Sequence, residues 1–163
     1  MLPLKYQGYA IVLEEVPDEI TLAFNISGCP HHCDGCHSQN LWEYTGEYLA
    51  KDIRSIIEEY KDYITCVCFM GGDQNMKELS ELSQMIKEDY KMKVCIYSGE
   101  EVLDKFFHLM ITGYLDYIKI GRYDKNLGGL NSKTTNQRMY VCKGEVPRLV
   151  YQDITKHFQK GEN

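Results

Sequence analysis

The 163-residue sequence has no basic block, no apolar run near the length of a membrane span and no low-complexity tract. Lys and Arg number 18 against 24 Asp and Glu, a net charge of −6. Binding to a phosphate backbone rests on clustered Lys and Arg, so nucleic acid is disfavoured as a direct ligand, whereas a nucleotide-like small molecule is not. A transmembrane helix needs about 20 consecutive apolar residues, and no such segment is found. The opening MLPLKYQGYA lacks the basic region, apolar core and cleavage site of a signal peptide, so the cytosol is the expected location. Internal repeats and linkers are also missing. Residues 1–163 therefore read as a single domain, with 44% hydrophobic residues to build a core.

Cysteine is plentiful, but its arrangement excludes a disulfide scaffold. The total of seven is odd, and Cys66, Cys68, Cys95 and Cys142 are scattered through apolar surroundings. Cys66 and Cys68 alternate in a predicted strand and so share one face, where they read as small buried hydrophobes. The role of Cys142 stays open.

Strand and helix patterns alternate along the chain. YAIVL, ITLAFNI, ITCVCFM, KVCIY and YIKI read as strands. EYLAKDIRSIIEEY, MKELSELSQMIKEDY and EVLDKFFHLM read as helices; in the first, Leu49, Ile53, Ile56, Ile57 and Tyr60 fall at helical spacing. RMYVCKG and PRLVYQDI add two short strands. Such alternation predicts βαβ units, and the chain has roughly half the units of a barrel of about 250 residues. The expected fold is an α/β open partial (β/α) barrel with a mainly parallel sheet. Ligand sites in such sheets lie beyond the C-terminal ends of the strands. The cysteine loop, GGD, YSGE and KIGR each follow a predicted strand, which argues for one site.

The densest chemistry is in FNISGCPHHCDGCHSQN, where Cys29, Cys33 and Cys36 form C-x3-C-x2-C. Zinc would accept these thiolates with His31, His32 or His37 as a fourth ligand, although structural zinc sites usually join two separated ligand pairs. A cubane iron–sulfur cluster normally takes four thiolates, and three would leave one iron open for chemistry. Gly71-Gly72-Asp73 allows close approach of a ligand to the backbone; alternatively it is a plain turn with Asp73 capping the next helix.

The C-x3-C-x2-C motif after the first core strand resembles that of the radical S-adenosylmethionine enzymes. The resemblance implies a 4Fe-4S cluster on Cys29, Cys33 and Cys36, whose open iron is chelated by S-adenosyl-L-methionine. It implies an activity too, reductive cleavage of that cofactor to a 5′-deoxyadenosyl radical. Gly71, Gly72 and Asp73 stand where the family holds the methionine amino group, with Asp replacing the usual Glu. Gly35 stands where many members have an aromatic residue near adenine, and His37 follows the third cysteine as another candidate adenine contact. Tyr97, Ser98, Lys119 and Asn136 are further candidate cofactor contacts. A buried Lys119 calls for a carboxylate neighbour, from the cofactor, Asp116 or Asp73. Lys119, Arg122 and Arg138 each point to either the site or the helix layer.

Within that superfamily, DEITLAFNISGCPHHCDGCHS, DYIKIGRYD and GGLNSKTTNQRMY are similar to segments of anaerobic ribonucleoside-triphosphate reductase activating proteins. The similarity implies a glycyl radical made on the large reductase subunit, with a low-potential electron donor such as flavodoxin or ferredoxin. The alternatives are an activase or maturase for another glycyl-radical enzyme, or a non-catalytic zinc or iron–sulfur binding module.

Overall fold

A computed structural model of the chain describes residues 1–159. Eight strands join one open sheet: β1 (Lys5–Val12), β2 (Thr21–Ile26), β3 (Glu47–Tyr48), β4 (Cys66–Met70), β5 (Lys93–Tyr97), β6 (Tyr117–Ile120), β7 (Arg138–Glu145) and β8 (Arg148–Asp153). Their spatial order is β3-β1-β2-β4-β5-β6-β7-β8. Three helices, α1 (Leu49–Tyr60), α2 (Met76–Met85) and α3 (Phe107–Thr112), lie in the connections between β3 and β6. Among the described residues no helix is long and apolar enough to cross a membrane.

The expectation of a mainly parallel sheet is corrected here. Only β2·β4, β4·β5 and β5·β6 pair in parallel, while β1·β2, β1·β3, β6·β7 and β7·β8 are antiparallel. The reason lies in the connections. Parallel neighbours need a crossover of a dozen or more residues, whereas antiparallel ones can be joined by a short turn. β7 reaches β8 across Val146 and Pro147 alone, and β1 reaches β2 without an intervening helix.

Alternation along the central strands sorts the side chains onto two faces. Leu22, Phe24, Val67, Phe69, Val94, Ile96 and Ile118 pack under the helices, against Leu49, Ile53, Ile57 and Leu79. The opposite face carries Ala23, Cys66, Cys68, Cys95, Tyr117 and Met139, with Val16, Ile154 and Phe158 laid over it. α1 buries Leu49, Ile53, Ile56 and Ile57, the stripe expected of an amphipathic helix. α2 is capped by Asn75, whose side chain accepts from the Glu78 N–H at 3.2 Å. α3 stops at Gly113, which takes the left-handed φ of 79° that glycine adopts without penalty.

Because β2, β4, β5 and β6 run the same way, their C-terminal ends form one rim. The loops after Ile26, Met70, Tyr97 and Ile120 all open there.

Candidate active site

A cavity of about 290 Å³ sits on this rim. Its wall includes Cys29, Cys33 and Cys36 after β2, Gly71 and Asp73 after β4, Tyr97 and Ser98 at the end of β5, and Lys119 on β6. These eight expected site residues come together around one space.

The cysteine loop is held from several sides. The Cys29 N–H donates to the Leu41 carbonyl at 2.9 Å, and the Cys36 N–H to the Cys33 carbonyl at 3.1 Å. The Ser38 N–H approaches the Cys36 sulfur at 3.3 Å. From the loop after β6, Arg122 Nη2 donates to the His31 carbonyl at 2.7 Å. Gly28 and Gly35 take φ of 78° and 75°, and His32 takes 46°, so the loop turns through left-handed backbone three times. Burial pushes the Cys29 thiol above its ordinary pKa, while the N–H groups of His31 and His32 pull it the other way. Hydrogen bonds to sulfur favour the thiolate a metal requires.

The seven cysteines are all free thiols. Among the described residues, the three metal-binding side chains whose ligand atoms lie within 4.8 Å of one another are His31, Asp73 and Glu100, not the cysteine trio.

The same cavity carries charged groups beside the thiols. Asp73 is 3% exposed, and its Oδ2 accepts from the Ser98 hydroxyl at 2.8 Å. His31 Nε2 stands 3.4 Å and Lys105 Nζ 3.7 Å from the same oxygen. Asp73 does not cap α2, since Asn75 does that. Lys119 Nζ lies 3.4 Å from each of the Ser98 and Gly121 carbonyls and 5.5 Å from the centre of the Tyr97 ring. The expected carboxylate is not supplied by the protein among the described residues. Asp116 instead pairs with Lys87 at 2.8 Å. Burial lowers the Lys119 pKa, opposed by the nearby Cys33 and Cys29 sulfurs.

Three expected contacts lie elsewhere. Gly72 is buried, and a Cβ there would meet Leu79 and Leu4, so it serves packing beneath the loop. His37 is exposed and leans on the Tyr123 ring, with centroids 5.5 Å apart. Asn136 donates to the Arg122 carbonyl and lines a neighbouring polar pocket with Asp34, Glu101 and Lys125. Arg138 points to its own neighbourhood, donating to the carbonyls of Thr135 and Gln137.

Sequence reasoning missed Trp42, Tyr123 and Gln137 in the cavity wall. Tyr123 could have been found, because it lies three residues beyond the β6 strand end. Trp42 carries no such signal; it arrives by the return of the cysteine loop, stacked on His32 at 4.6 Å.

Residues 20–140 match the family described as 4Fe-4S single cluster domain. The anaerobic ribonucleoside-triphosphate reductase-activating protein of Enterobacteria phage T4 is 30% identical over 112 residues, covering 63% of this chain and 70% of the relative. The protein of the same name from Haemophilus influenzae is 28% identical over 110 residues, covering 60% of this chain and 70% of the relative. No solved structure gives a significant match. With most of its length inside the matched region, the chain belongs to the 4Fe-4S single cluster domain family.

Proposed function

We propose that the protein is a radical S-adenosylmethionine activase that generates a glycyl radical on the large subunit of an anaerobic ribonucleotide reductase. Membership of the cluster family and likeness to two activating proteins support this reading. The observation that carries it is the shared cavity, which brings together three thiols, the buried Asp73 carboxylate and the half-buried Lys119 ammonium.

The residues fit a cluster and an amino-acid-bearing cofactor. Cys29, Cys33 and Cys36 supply three soft donors and leave one metal position without a protein ligand. Hydrogen bonds reach Asp73 through Oδ2, and no bond to its other carboxylate oxygen is found among the described residues, so Oδ1 is free for an incoming ammonium. Among the described residues no carboxylate pairs with Lys119, and an amino-acid ligand brings one. Bound there, the reduced cluster would supply the electron for reductive cleavage of S-adenosylmethionine, chemistry that belongs to the cofactors, while Cys29, Cys33, Cys36, Asp73 and Lys119 would hold and orient them.

The protein's own part is to bind, orient and seclude. The Ser98 hydroxyl fixes the Asp73 carboxylate so that Oδ1 is held for the amino group. Gly71, at φ 107°, takes a backbone shape that side chains rarely adopt and keeps the wall low beside it. Ile26, Leu41 and Met70 line the cavity with apolar surface that excludes water from a reactive species. The sheet is open, which leaves a route for a loop of the partner. A low-potential carrier such as flavodoxin or ferredoxin would deliver the electron.

A non-catalytic iron–sulfur carrier is the rival reading. A carrier has no use for a buried carboxylate and an unneutralised lysine beside its cluster, both of which cost stability. The test is anaerobic: reduced protein, S-adenosylmethionine and the large reductase subunit should together give a glycine-centred radical signal. Cluster reduction without consumption of S-adenosylmethionine would favour the carrier.

A further inference from the structure

The cysteine loop and the loop after β6 are locked together on both sides of one aromatic ring. Arg122 holds the His31 carbonyl at 2.7 Å, and Lys125 Nζ pairs with Asp34 at 2.8 Å. Tyr123 lies between these two anchors and lines the cavity next to Cys36. His37 tilts against its ring at 57°, bracing it from outside.

Gly35, immediately before Cys36, brings no side chain to this corner. A Cβ at Gly35 would stand 3.2 Å from Lys125 Cβ and 3.5 Å from Tyr123 Cε1. The volume a side chain at position 35 would claim is therefore already taken from the β6 side. Its φ of 75° independently disfavours a side chain.

The cavity's polarity gives a ligand its direction. Charged groups at Asp73 and Lys119 suit an amino acid end, and the Tyr123 corner suits a flat, apolar one. Two other aromatic residues line the cavity but are committed elsewhere. Tyr97 lies under the Lys119 ammonium and donates its hydroxyl to the Glu15 carbonyl. Trp42 has His32 stacked on it, with the two planes within 8°. We infer that Tyr123 is the specificity-determining wall for the nucleobase of S-adenosylmethionine, supplied from the β6 loop because Gly35 cannot supply one. The inference rests on the proposed use of that cofactor.

Base–aromatic stacking sets the size of the effect. In the reconstituted protein, equilibrium dialysis should show Tyr123→Ala and Tyr123→Leu weakening S-adenosylmethionine and 5′-deoxyadenosine by about tenfold. Methionine binding and iron content should not change, and Tyr123→Phe should bind like the unaltered protein. The leucine variant keeps bulk in the corner, so a collapsed loop cannot imitate the result. Equal nucleoside affinity in Tyr123→Leu, or a loss seen with Trp42→Phe instead, overturns the assignment to Tyr123 alone. Failure of the unaltered protein to bind S-adenosylmethionine overturns the proposed function, and this assignment with it.

Discussion

Ser98 donates its hydroxyl to Oδ2 of Asp73 at 2.8 Å, tying the end of β5 to the loop after β4. Both side chains are 3% exposed, so the bond is made out of solvent and directs the carboxylate. Two residues further on, Asn75 performs the helix capping that Asp73 was free to perform by sequence. Binding and folding are thus divided between neighbouring polar residues.

That division predicts separable variants. Asp73→Ala should retain its cluster and its fold but bind S-adenosylmethionine roughly 10–100-fold more weakly, as expected for a lost hydrogen bond to a charged group. Asn75→Ala should do the opposite, losing about 1 kcal/mol of stability in denaturant unfolding while binding is unchanged. Unfolding of Asp73→Ala with normal residual affinity would return Asp73 to a structural role.

The two sets of cysteines should also separate. Alanine at Cys29, Cys33 or Cys36 should abolish the visible absorption of the anaerobically reconstituted protein, which otherwise should hold about four irons. Alanine at Cys66, Cys68 or Cys95 should keep the cluster and cost about 1–3 kcal/mol, since all three are fully buried on the sheet face opposite the helices. Stoichiometric zinc without sulfide in anaerobically isolated protein would contradict the cluster assignment.

Lys119 should behave as a residue kept at a stability cost. Its ammonium is desolvated and, among the described residues, faces two carbonyls, the Tyr97 ring and the nearby cysteine sulfurs rather than a carboxylate, so Lys119→Met should leave the apoprotein as stable or more stable. The same variant should weaken S-adenosylmethionine, because the ligand's carboxylate loses its counter-ion. A thermal melt beside a binding isotherm checks both; a large destabilisation would mean that the lysine holds the sheet together.

Much of this site was legible because strand ends are punctuated by unusual residues. Val67 and Phe69 alternate with Cys66 and Cys68 before Gly71, which places the GGD loop on the rim without any structure. Strand direction was not read correctly, although its cause was visible. RMYVCKG and PRLVYQDI are too close for anything but a hairpin, and that makes β7 and β8 antiparallel. The eight-residue reach from Val12 to Thr21 likewise has no room for a crossover helix. Side chains brought in by loop return were beyond reach. Nothing periodic announces Trp42, and the placement of Tyr123 depends on Arg122 and Lys125 gripping a loop some 90 residues earlier in the chain.

The most direct measurement of the proposed chemistry follows a single atom. The large reductase subunit is prepared with deuterium on its glycine Cα and mixed anaerobically with the reduced protein and S-adenosylmethionine. Deuterium should appear in 5′-deoxyadenosine in step with a glycine-centred radical on the partner. Unlabelled 5′-deoxyadenosine with no partner radical, or label arriving from a small molecule instead, would contradict the assignment of the reductase glycine as the hydrogen donor.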